Sequence, residues 1–113
     1  MKLRPAQRMA WRAEMQAAGD ATRSGRLGRA FAHLERAHVI GQRNVAAHTL
    51  SHLGMLRIGF ARRDLREIFG QFLRIPAALT KTLIWVPRGN TGGANVSAFR
   101  PMPVPDDLKP YVN

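Results

Sequence analysis

The four histidines of the chain, His33, His38, His48 and His52, fall within 20 residues, and none lies elsewhere. Neutral imidazole offers one nitrogen lone pair and is the commonest protein ligand for transition metals. His48 and His52 are four residues apart, so on a helix their rings share one face; Glu35 and His38, three apart, do the same. His38, His48, His52 and Glu35 are the candidate metal ligands. This donor set suits a divalent transition metal, zinc first, with iron or copper as alternatives. The chain has no cysteine, which excludes thiolate sites, cysteine nucleophiles and disulfides. Each ligating ring needs an acceptor for its second nitrogen, and Glu14 and Ser51 are candidates. His33 points away from the apolar stripe of its segment and is left out of the set.

Two other readings compete. His38 falls inside an apolar stripe, where a histidine is often a hydrogen-bonded core residue, with His48 and His52 on a flank. Histidines can also form a proton-linked switch. Glu35-x-x-His38 is half of the di-iron signature of ferritin-like bundles. The chain has only seven acidic residues and no second Glu-x-x-His, so that centre is not expected.

Convergence of these side chains requires a helical hairpin. Pro5 suits a first helical turn, and residues 6–18 are good helix formers, punctuated by Gly19-Asp20 and Ser24-Gly25. A second helix is predicted from Arg26 to Ile40, stopped by Gly41. Asn44 caps a third that runs to Ala61. Asp64 opens a fourth, with Leu65, Ile68, Phe69, Phe72 and Leu73, and Pro76 ends or kinks it. A bend between Gly41 and Asn44 sets His38 level with Ala47 and His48. A faint period of 34 residues pairs Gly25 with Gly59, Phe31 with Leu65 and Leu34 with Ile68. Gly25 to His38 is similar to the second helix of a tetratricopeptide repeat. The expected fold is all-α: two stacked antiparallel hairpins over residues 1–86, then an irregular Pro/Gly-rich segment, 87–113, either packed on the helices through Trp85, Val96, Phe99, Met102 and Val104, which is favoured, or partly mobile.

The net charge is +11, and fifteen of the eighteen basic residues are arginine, which favours bidentate contacts to phosphate or carboxylate. Arg57, Arg62, Arg63 and Arg66 cluster around the third and fourth helices. They define the first alternative function, a basic interaction module for an acidic protein or nucleic acid. The competing reading is a solvated arginine surface. Gly89-Asn-Thr-Gly-Gly-Ala-Asn could cradle an anion on backbone amides, but it lacks the ending of a P-loop, so a turning loop is expected. No Ser/His/Asp order or nucleophile elbow is present. A small metal-dependent hydrolase is the last alternative, and an enzyme is not the preferred reading. The basic start is followed by no apolar run, and no stretch is long enough to span a bilayer. A cytoplasmic protein is expected, with its oligomeric state open.

Two motifs carry a family resemblance: His33-Leu-Glu-Arg-Ala-His-Val-Ile-Gly-Gln and Pro87-Arg-Gly-Asn-Thr-Gly-Gly-Ala-Asn-Val-Ser-Ala-Phe-Arg-Pro-Met-Pro. Through them the chain resembles a family of small bacterial proteins catalogued as a domain of unknown function. The resemblance spans residues 20 to 108. It implies a bacterial protein and brings no activity or cofactor with it.

Overall fold

The computed structural model describes residues 1–112. The fold is all-α, with four helices: α1 (Pro5–Arg23), α2 (Leu27–Gly41), α3 (Val45–Ala61) and α4 (Leu65–Lys81). Each helix packs on the next in sequence, so α1–α2 and α3–α4 form two hairpins that meet through α2 and α3. The segment after α4 is irregular except for a 3-10 turn, Asp106–Tyr111.

The start signals act as expected. Asn44 Oδ1 accepts from the Ala47 amide at 2.9 Å, and Asp64 Oδ1 from the Glu67 amide at 3.1 Å. Each satisfies an amide that the first helical turn leaves without a partner. Helix α1 ends before Ser24-Gly25 and α2 ends at Gly41, as expected, while two other stop signals are passed. Gly19 lies inside α1, which continues to Arg23. Helix α4 runs through Pro76 to Lys81. Gly41 is the last residue of α2, and its role is close approach. A Cβ there would stand 2.7 Å from the Cβ of Ala47 and 2.9 Å from the Trp11 ring. The absent side chain lets α1, α2 and α3 converge just below the bend.

Two buried apolar clusters hold the helices. One joins Ala18 and Ala21 of α1, Phe31 and Leu34 of α2, and Met55 and Ile58 of α3. The other joins Val39 and Ile40 of α2 to Val104 and Leu108 of the C-terminal segment. Neither cluster contains a residue of α4.

That helix is polar on its inner side. Glu67 and Gln71 are buried, while Leu65, Phe69, Phe72 and Leu73 are 54–77% exposed. Of the five apolar residues expected to define α4, only Ile68 is buried. Phe99, expected to anchor the C-terminal segment, is 72% exposed. The reason for the polar interior of α4 lies in what the helix faces.

No helix among the described residues is long and apolar enough to cross a membrane.

Candidate metal centre

Helix α2 contributes His38, and α3 contributes His48 and His52 from successive turns. The bend between the helices brings the three rings together. Their centroids are 4.6–4.8 Å apart, and all three are buried. The Nε2 atoms form a nearly equilateral triangle, with His38–His48 at 3.0 Å and both other sides at 3.1 Å.

The position of each ring proton follows from the partner of Nδ1. His38 Nδ1 lies 2.7 Å from the backbone carbonyl of Asn90, which can only accept. His48 Nδ1 lies 2.8 Å from the Thr82 hydroxyl. That hydroxyl spends its own proton on the Ala78 carbonyl, so it accepts from His48. His52 Nδ1 lies 2.7 Å from Gln71 Oε1. The Gln71 Nε2 donates to Glu67 Oε2 at 2.7 Å and to the Gly92 carbonyl at 3.0 Å, which fixes the orientation of the amide. Each ring is therefore a neutral imidazole with its proton on Nδ1. Three Nε2 lone pairs face one another with no proton between them. The separations would suit hydrogen bonds, but with every ring proton on Nδ1 none can form; three acceptors point at one place.

The electrostatics keep the rings neutral. His38 is held well below the usual histidine range, first by burial and then by repulsion from a charge on His52 or His48. Burial and His52 lower His48 to about 3. His52 falls to about 4 through burial, which outweighs the bond to Gln71, with Arg74 adding to the lowering. Neutral imidazoles with converging lone pairs are the state a cation requires. The three side chains are close enough together to hold one metal ion.

The acceptors come from α4, its C-cap Thr82, and the loop after it. Gln71 and Glu67 face inward for this reason. Asn90 is locked by its own side chain, whose Nδ2 donates to the Ser97 and Arg100 carbonyls while its Oδ1 accepts from the Gly92 amide. Gly92 has φ +87°, and a Cβ there would lie 2.5 Å from the His38 ring. Only glycine fits both the conformation and the contact. The Gly89–Asn95 segment thus supplies a carbonyl to a histidine. Its Gly92 and Ala94 amides are already bonded to Asn90 and to the Glu67 carboxylate, so they are not an open anion nest.

Several candidates lie elsewhere. Glu35 is not among the converging groups. It is half-buried, and burial raises its carboxyl above the usual range, with the Thr91 hydroxyl opposing, Glu67 adding and Arg62 opposing. Glu14 and Ser51 do not support the cluster. Glu14 pairs with His33 at 2.7 Å and Arg36 at 2.8 Å. Ser51 accepts from Trp11 Nε1 and donates to the Ala47 carbonyl. Gln71, Thr82 and Asn90 were not singled out in the sequence. The one signal was a glutamine amid the apolar residues of α4.

All three rings line one cavity of about 380 Å³, shared with Arg74, Leu73, Trp85 and Phe99. Arg57, Arg62, Arg63 and Arg66 lie exposed around the α3–α4 turn, with Arg62 over the Phe31 ring at 5.4 Å.

A search of curated proteins and a search of solved structures found no match. A family profile matches residues 5–112 and takes in every residue of this centre. The chain belongs to that family, described as the protein of unknown function DUF3703.

Proposed function

We propose that the protein binds one divalent transition metal, zinc first, through the Nε2 atoms of His38, His48 and His52. The carrying observation is the triangle of lone pairs, each turned inward by an acceptor that holds its Nδ1 proton. The dimensions support the reading. Nitrogens so spaced would all fall within the usual zinc distance of about 2.0–2.1 Å from a single ion. Three such ligands would leave a coordination position free. Three nitrogen ligands plus one exchangeable position suit a protein that senses or hands on a metal; activation of a bound water is the last alternative. A metal also relieves the mutual repulsion of three buried lone pairs, so it should bind the folded chain far better than the unfolded one.

The test is metal analysis of protein purified without a histidine tag from cells supplied with zinc, iron, copper, nickel or manganese. The expected result is one ion per chain, lost in His48→Ala and in His52→Ala. Absence of stoichiometric metal under every supplement overturns the reading.

A second role, binding an acidic protein or nucleic acid, is supported by the exposure of Arg57, Arg62, Arg63 and Arg66. It predicts binding to random-sequence DNA that weakens steeply with salt. Salt-insensitive binding, or none at low salt, removes nucleic acid from this reading.

A further inference from the structure

The cavity in front of the histidines has a composition that selects its occupant. Its lining holds two cations, Arg74 and Lys81, and no carboxylate. Arg74 takes part in no ion pair among the described residues. Its Nη1 and Nη2 donate to the Gly70 and Val96 carbonyls at 3.2 and 2.9 Å. Its Nε is buried and has no acceptor. Glu67 is the acid whose charge reaches this guanidinium, but it forms no ion pair with it and does not line the cavity, so the partly buried charge is left incompletely balanced. Three neutral imidazoles would leave the full double charge on a bound divalent ion. With Lys81, three positive centres would therefore face one cavity whose lining carries no carboxylate.

The rest of the wall is apolar. Leu73, Trp85 and Phe99 line the cavity yet are 77%, 54% and 72% exposed. Ala77, Ala78 and Val86 complete the surface. An inorganic anion would satisfy the charges and leave these side chains in water. The volume, about 380 Å³, falls within the range of small-molecule sites, roughly 300–1,000 Å³.

We propose that this cavity binds a small organic acid, with its carboxylate between the metal and Arg74 and its apolar body against Leu73, Trp85 and Phe99. The proposal rests on the metal reading above and names the ligand class for the same centre. One carboxylate oxygen takes the free metal position, the other faces the guanidinium, and the hydrocarbon covers the exposed rim.

Cobalt(II) makes the test spectroscopic, because its visible absorption changes with the ligands around it. Cobalt-loaded protein is titrated with acetate, hexanoate, benzoate, inorganic phosphate and hexylamine. Hexanoate and benzoate are expected to shift the visible bands and to bind at least about tenfold more tightly than acetate, since each buried methylene strengthens binding. Hexylamine should leave the bands unchanged. Phe99→Ser should weaken hexanoate more than acetate, and Arg74→Gln should weaken both. Equal affinity for acetate and hexanoate, a stronger response to phosphate, or no response to any acid overturns the proposal and leaves the metal reading standing. Failure to take up cobalt and every other divalent metal overturns both. The comparison among acids uses the unaltered chain, so it stands even if a variant fails to fold.

Discussion

Gln71 can only accept from His52, because its amide nitrogen is already committed to Glu67 and to the Gly92 carbonyl. One side chain of α4 thus decides which nitrogen of an α3 histidine carries the proton. Gln71→Leu removes that acceptor and frees His52 to turn or to change tautomer. Thr82→Val does the same for His48. Each is expected to weaken metal binding by about 10–100-fold, as losses at supporting partners of a metal ligand do. Competition against a chromophoric chelator measures it.

Glu35→Gln should leave metal stoichiometry and affinity as they are, because the carboxyl lies outside the histidine triangle. His33→Ala should do likewise, since its ring pairs with Glu14. The same chelator competition serves. A marked loss of affinity in Glu35→Gln would return that residue to the ligand set.

The metal-free protein should lose stability on mild acidification. Unfolded histidines titrate near 6.5, whereas folded His48 and His52 titrate near 3 and 4. Between those values the unfolded chain binds more protons, so stability is fully present above pH about 6.5 and declines as the pH falls towards 4. Each histidine contributes a slope of up to about 1.4 kcal/mol per pH unit. The facing Arg74 opposes protonation as well. Urea titrations of metal-free protein at pH 7.5, 6.5, 5.5 and 4.5 would show the decline, and a flat profile would contradict it.

Gly92→Ala should be costly and Gly25→Ala mild. Both glycines have positive φ, but a Cβ at Gly25 meets nothing within 4 Å, whereas one at Gly92 meets the His38 ring. The backbone penalty alone is about 1–2 kcal/mol. Gly92→Ala must exceed it and displace His38, so thermal stability and metal affinity should fall together. Thermal melts with and without zinc check this; equal losses in the two variants would count against the contact.

The helices and the hairpin bend were legible because their signals are local. Asn44 and Asp64 act within one turn, and the spacing of His48 and His52 fixes their shared face whatever surrounds them. The register across the bend followed from the same local rule and put His38 level with His48. Gly19 is a weak stop, and α1 continues past it to Arg23; Pro76, expected to end or kink its helix, does not end it. Glu35 illustrates a different limit. Sharing a helical surface with His38 does not make two side chains point to one spot, and the carboxyl stays outside the histidine group. Asn90 was out of reach, since its contribution is a backbone carbonyl 52 residues from His38, which no side-chain pattern encodes. The apolar residues of α4 read as a core stripe because nothing in a single chain says that the opposite, polar face is the one wanted inside.

The inverted polarity of α4 affects how the molecule comes apart. Lifting this helix from α3 breaks hydrogen bonds around the histidines, and from α4 itself the buried apolar residues it uncovers are only Ile68 and Ala78, because most of its large apolar side chains already face water. Heat capacity and sensitivity to denaturant both follow newly exposed area. Such an opening would therefore leave a smaller trace in calorimetry or in a urea slope than the loss of an ordinary core helix. What it gives up is chiefly the acceptors on Gln71 and Thr82 that hold two imidazole protons in place, a latch set by chemistry more than by grease.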